Sequence, residues 1–250
     1  MCVGHSGPLS ERTIRAITTY LTSCNIKAIY KMAAKISLSG KKGASLYTDM
    51  SRSKLNENEL KTSGYSNKDY GTAGYVNTNT SHADASHKVF AIDCEMVETQ
   101  AGSELAHVTV IDDHLVVVYK TLVKPDHPII DYRTGSTGLT KECMAGASTR
   151  LVDVQAKLLG MINGSTILIG HALEHDLRAL KLIHGTVVDT SIVFKHPNYP
   201  QNQSNKYSLK ELTRRVLHRD IQLGQHDSEE DAVASFQLML WKIQNGKSAF

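Results

Sequence analysis

The chain has 250 residues, 41% of them hydrophobic and 21% charged, with a formal net charge of +3; these are ordinary values for one or two globular domains. No apolar run approaches the roughly 18 residues that crossing a bilayer takes, and the first residues lack the basic-then-apolar order of a secretory leader, so neither an integral membrane protein nor a secreted one is expected. Cys2, Cys24, Cys94 and Cys143 are widely spaced without a C-x-x-C pair, which argues against a disulfide scaffold and makes a reducing compartment the default.

Residues 1–37 read as an amphipathic helical segment. Ile14, Ile17 and Leu21, then Ile26, Ile29, Tyr30 and Ala33, recur at helical spacing, and Arg12, Arg15, Lys27, Lys31 and Lys35 make the polar positions basic. A helix docked on the protein, a mitochondrial presequence and a basic arm for RNA all fit that pattern. Residues 38–87 read as a flexible polar linker. Between Ser51 and His87 only Leu55, Leu60 and Val76 are large aliphatics, too few to offset the entropy of ordering. Tyr65, Tyr70 and Tyr75 fall at a five-residue step that fits neither helix nor strand and suggests no function. Charge follows the same boundary, with a net of +5 over residues 1–87 and −2 over 88–250.

A folded domain is expected over 88–246. Val89 to Met96 reads as a strand. Leu105 to Ile111 and Leu115 to Val123 are two more, joined by a turn around Asp112-Asp113-His114. Leu151 to Ile162 reads as a helix, Thr166 to Gly170 as a strand buried on both faces, Glu174 to Ile183 as a helix and Thr186 to Asp189 as a strand. Ser208 to Leu217 and Glu229 to Ile243 are helices. This order predicts an α/β fold with a mixed five-stranded sheet flanked by helices.

Three short stretches carry the chemistry. Asp93 and Glu95, at i and i+2 on a strand, share one face, with Phe90, Ile92 and Cys94 at the other positions. Two such acids are costly to bury unless a divalent cation relieves them, and oxygen ligands suit Mg²⁺ or Mn²⁺. Gly170-His171-Ala172-Leu173-Glu174-His175-Asp176 lies where a strand gives way to a helix, the end at which open α/β sheets bind ligands. His226-Asp227-Ser228-Glu229-Glu230-Asp231 is a helix start, with Asp227 at the N-cap, Asp231 in the first turn and His226 just before it.

In this order the three stretches resemble the exonuclease motifs of the DEDDh superfamily, and more closely its eukaryotic Rex-type RNA exonuclease branch and the interferon-stimulated member. The likeness extends through Leu122-Val123-Lys124-Pro125, Ile130-Asp131-Tyr132-Arg133-Thr134, Ala179 to His184, Val187-Val188-Asp189-Thr190 and Leu240-Trp241-Lys242-Ile243, and nothing comparable covers residues 1–87. It implies an RNase H-like fold and a 3′→5′ exoribonuclease that releases nucleoside 5′-monophosphates from single-stranded RNA 3′ ends. It further implies a nuclear home and a monomer that needs no membrane. Asp93, Glu95, Asp176 and Asp231 match the family's metal carboxylates and His226 its general base; two cations about 3.5–4 Å apart would serve the attacking and leaving oxygens. Met96 matches a position that packs on the terminal base, and Arg133 one near the terminal ribose, where a 2′-OH contact favours RNA. Lys206, Lys210, Arg214 and Arg215 are the candidate phosphate contacts.

The sequence also departs from the pattern. Gly135, Thr137 and Gly138 stand where the family has a second arginine and Ser-Gly, and His107 stands where relatives often have arginine; both bear on substrate preference. His171 and Asp189 read as backbone-positioning residues, Trp241 as core and Cys94 as inert. His184, His196 and His218 lack the ligand spacing of a zinc site. Two other functions fit the same motifs: a DNA 3′→5′ exonuclease of this fold, and an RNA-binding module whose catalysis has decayed.

Overall fold

The computed structural model describes residues 43–65, 74–81, 87–196 and 206–246, so the expected helical segment over 1–37 lies outside the described residues. In chain order the elements are α1 (Ala44–Ser51), α2 (Glu57–Thr62), β1 (Val76–Asn77), β2 (Val89–Thr99), β3 (Gly102–Ile111), β4 (Val117–Leu122) and β5 (Ile129–Asp131). Then come α3 (Thr134–Thr137), α4 (Lys141–Met144), α5 (Leu151–Leu159), β6 (Ile167–Gly170), α6 (Glu174–Ala179), β7 (Leu182–Ile183), β8 (Val187–Asp189), α7 (Thr190–Val193), α8 (Leu209–Leu217) and α9 (Ser228–Asn245).

Five strands form one mixed sheet in the order β4-β3-β2-β6-β8. β2 pairs antiparallel with β3 and parallel with β6, and β6 pairs parallel with β8. A sixth strand, β5, pairs antiparallel with the far end of β2 at Glu98 and Thr99. The sequence predicts five strands because Ile129-Ile130-Asp131 is too short to show a period; only its pairing with β2 defines it. One face of β2 turns Phe90, Ile92 and Cys94 into a core with Val154, Leu158, Leu168, Leu173 and Leu177. The other face lies under α9, which buries Ala232, Val233, Phe236, Leu238 and Met239. Pairing with β6 ends at Ala91 opposite Ile169, so β2 runs on past the end of its parallel neighbour and carries Asp93 and Glu95 beyond it.

The linker expected over 38–87 is corrected for its described residues, 43–65 and 74–81. Leu46 and Met50, one helical turn apart on α1, are 1% and 0% exposed. Asn56 and Glu59 form a reciprocal capping box that starts α2. The Leu55 amide donates to Val187 O of the edge strand β8, and β1 pairs parallel with β7. Few apolar residues suffice because each lands on a surface that the domain already presents. Trp241 is half-buried with its ring 6.4 Å from that of Phe194.

Candidate active site

The three expected stretches meet where β2 runs on past the C-terminal end of β6. Asp93 is half-buried and Glu95 buried on β2, opposite Thr109 and His107 of β3. A β-bulge between Glu95 and Met96 ends the regular alternation there. Asp176 is buried in the first turn of α6, and its Oδ1 accepts a 2.8 Å hydrogen bond from the Cys94 amide, which ties the helix to the strand between the two acids. Asp231 is buried in the first turn of α9, after Asp227, whose side chain caps the Glu229 and Glu230 amides.

Burial raises the affinity of these carboxyls for protons, and the carboxyls raise one another's. Glu95 is pushed up to about 8 by burial and then by Asp231 and Asp176. Asp176 rises to about 8 through burial, against the Cys94 amide bond that lowers it. Asp231 rises to about 7 by burial. Asp93 goes well above the carboxylate range by burial and then by Asp176, Asp231 and Glu95. Asp231 Oδ1 is buried without a hydrogen-bond partner. Crowded, desolvated carboxylates with an orphaned oxygen are what a hard divalent cation would relieve, so Asp93, Glu95, Asp176 and Asp231 are a donor set that such a cation would fit.

A second acidic group has a local explanation. Among the described residues, Asp112, Asp113 and His114 offer donor atoms within 4.8 Å of one another. Asp112 Oδ1, however, accepts from the His114 and Val116 amides, closing the turn between β3 and β4.

His226 is exposed at the rim, its Nδ1 3.6 Å from Asp231 Oδ2. Partial burial, then Lys210, lowers its pKa below the usual imidazole value, which favours the neutral ring at pH 7. Its amide donates to Ser136 O of α3 over 2.6 Å, so the segment that departs from the family pattern anchors the histidine loop.

Several supporting residues escaped the sequence reading. Gln222 Nε2 donates to Asp231 Oδ2 at 2.8 Å. Ser228 Oγ bonds His107 Nδ1 at 2.9 Å and Thr109 Oγ1 at 2.7 Å, fixing the first turn of α9 to β3. Burial drops His107 to about 4, so it serves there as a neutral hydrogen-bonding group. Ser228 sits inside the third motif and was open to notice; Gln222 carries no such signal. His171 and Asp189 act on backbone and neighbours as expected: Asp189 Oδ1 accepts from the Ala172 and Ser191 amides, and His171 Nδ1 bonds Thr190 Oγ1.

The expected substrate contacts are more scattered. Met96 packs half-buried against the core cluster of Ile92 and Cys94. Arg133 is exposed but pairs with Glu98 and reaches Ser103 Oγ at 3.3 Å. Lys206 pairs with Glu174 at 3.6 Å, Lys210 donates to Gln222 O at 2.9 Å, and Arg215 pairs with Glu211 and lies over the Tyr207 ring. Arg214 is exposed on α8. Lys206 thus contacts the second stretch and Lys210 the loop whose Gln222 supports Asp231, while Arg215 is engaged along α8.

A mixed sheet with paired carboxylates on its central strand and an acid–histidine helix start is the arrangement that the sequence resemblance to exonucleases predicts. The Exonuclease (RNase_T) family matches residues 90–239, and the chain belongs to that family, whose members depend on divalent metal. Within that family it resembles eukaryotic proteins named RNA exonucleases. It is 46% identical over 157 residues to the RNA exonuclease 1 homolog of Homo sapiens, covering 62% of this chain and 13% of that one. It is 44% identical over 159 residues to RNA exonuclease 1 of Saccharomyces cerevisiae, covering 63% and 28%. The chain thus spans well under a third of these relatives' lengths. Among solved structures, the Neurospora crassa Pan2 catalytic unit (protease and nuclease domain) superposes with a TM-score of 0.56 at 25% identity, over 70% of this chain and 29% of that one. The fold is RNase H-like.

Proposed function

We propose that this protein is a metal-dependent 3′→5′ exoribonuclease that removes nucleoside 5′-monophosphates from single-stranded RNA, acting as a monomer in the nucleus. The convergence of Asp93, Glu95, Asp176 and Asp231 beside His226 carries the reading. The names of relatives as RNA exonucleases support RNA as the substrate. So does the Saccharomyces cerevisiae Pan2 module solved with A7 RNA, which shares the fold.

Asp93, Glu95, Asp176 and Asp231 would hold the cations, which would supply charge neutralisation on the transferring phosphoryl group and activation of the attacking water. His226, neutral at pH 7 and open to solvent, accepts the water's proton as the oxygen attacks the terminal phosphorus; the P–O3′ bond breaks, the released 3′-oxygen takes a proton from solvent, and His226 returns its own proton to bulk. Asp231 stands beside its Nδ1 and favours the protonated ring once formed. Gln222 and Ser136 keep the Asp231 carboxylate and the His226 backbone in place.

Arg133 bears on substrate preference. Its pairing with Glu98 occupies the group the family resemblance assigns to the 2′-OH, which keeps DNA as a second substrate to be compared. The test uses 5′-labelled single-stranded RNA and the matching DNA in Mg²⁺, Mn²⁺ or EDTA, beside Asp93→Ala. A ladder shortening from the 3′ end, metal-dependent, faster on RNA and absent in the variant, is the expected result. Equal or faster loss of DNA would replace the RNA assignment. Binding without cleavage of either strand would overturn the enzyme reading.

A further inference from the structure

Tyr65 lies 25 residues ahead of the family match, in the stretch whose sequence suggested no function. Its ring is 6% exposed and belongs to the core cluster that holds Leu173 and Leu177. Its hydroxyl donates to Asp189 Oδ2 over 2.6 Å in a buried setting, and burial raises the phenol far out of the titrating range, so it stays a donor. Asp189 is fully buried at the end of β8. Its other oxygen accepts from the Ala172 amide at 2.9 Å.

Ala172 is where the chain turns from β6 into α6. It sits at φ 53, the left-handed region that favours glycine, so its conformation must be held from outside. Four residues on stands Asp176, whose Oδ1 is fixed to β2 by the Cys94 amide. The residue before Tyr65 reinforces the link: a Cβ added at Gly64 would lie 3.7 Å from Glu174 Cγ, so this backbone runs against the first turn of α6. A hydrogen-bonded line therefore runs from Tyr65 through Asp189 to Ala172, and the covalent turn completes it to Asp176.

We infer that Tyr65 is a positioning residue for the nuclease site: its hydroxyl orients Asp189, which pins the strained Ala172 turn and so sets where Asp176 stands. The inference deepens the proposed function and rests on it for its kinetic arm. It makes the segment ahead of the nuclease domain part of the catalytic apparatus. Supporting partners of metal carboxylates commonly change activity by about 10- to 100-fold when removed.

The experiment compares Tyr65→Phe, which keeps the ring, with Tyr47→Phe, which removes another hydroxyl bond of the same segment, to Ser165 O. In the full chain, Tyr65→Phe should lower kcat on RNA about 10- to 100-fold with KM within about twofold, and speed hydrogen exchange at the Ala172 amide. Tyr47→Phe should change neither. If Tyr65→Phe matches Tyr47→Phe in kcat, or lowers kcat without altering Ala172 exchange, the inference is overturned. If the wild-type chain cleaves nothing, the functional reading fails, while Ala172 exchange still decides whether the Tyr65 line holds the turn.

Discussion

At the scale of single residues, the roles proposed for the carboxylates and for His226 separate binding from proton transfer. His226→Ala should cut kcat about 10²- to 10⁴-fold while the rise in Tm on adding Mg²⁺ persists, since the carboxylates remain. Asp176→Asn should lose more than about 100-fold in activity, beyond what supporting partners give, and should weaken that Mg²⁺ response. The raised carboxyls also set a pH dependence. Unfolded, these acids release their protons near 4; folded, Glu95 and Asp176 keep theirs up to about 8. The folded state therefore binds more protons between those values, and this contribution to metal-free stability falls as pH rises through them. Thermal melts in EDTA from pH 5 to 8 should show that fall, and Mg²⁺ should flatten it. His184 acts with the opposite sign. It is buried between Thr78 Oγ1 and Thr166 O and lowered to about 4 by burial, so the unfolded chain binds the extra proton between about 4 and 6.5. Stability from His184 is lost as pH falls through that window; His184→Gln should remove this part of the acid sensitivity in paired melts.

At the scale of elements, the reading succeeds where chemistry is local and falters where partners come from afar. The i, i+2 spacing puts Asp93 and Glu95 on one strand face, and the Asp227 cap puts Asp231 in a first turn; both follow from a few neighbouring residues. Glu98 as the mate of Arg133 cannot be read this way, because it depends on the pairing of β2 with β5. The same holds for Gln222, which reaches Asp231 from a loop with no motif. In α1 and α2 the signal was present: Leu46 and Met50 are one helical turn apart on α1, and Asn56-x-x-Glu59 is the helix-start pattern of α2. Low overall hydrophobicity concealed both. Met50→Ala should cost about 2–4 kcal/mol by leaving a cavity in a sealed site, measurable by denaturant melts; a polar linker would have shown no change.

At the scale of the whole molecule, the acidic balance of residues 88–250 is compatible with the proposed polyanionic substrate because four of its acids are the carboxylates proposed to hold cations. The carboxyls' pH-dependent term and the metal-dependent one thus arise at one place, and the sheet and helices around it hold the carboxyls in position against their mutual repulsion. What surrounds the sheet matters for another reason. β8 is the last strand of the sheet, and the stretch at Leu55 lies along it with a main-chain bond to Val187. A chain cut to begin at Lys88 would lose that cover and leave an apolar border strand with open amides and carbonyls, a template for adding a strand from another molecule. Such a shortened protein should self-associate with rising concentration, seen as growing light scattering, where the full chain does not. On this view the polar stretch ahead of the domain also serves as a guard against aggregation.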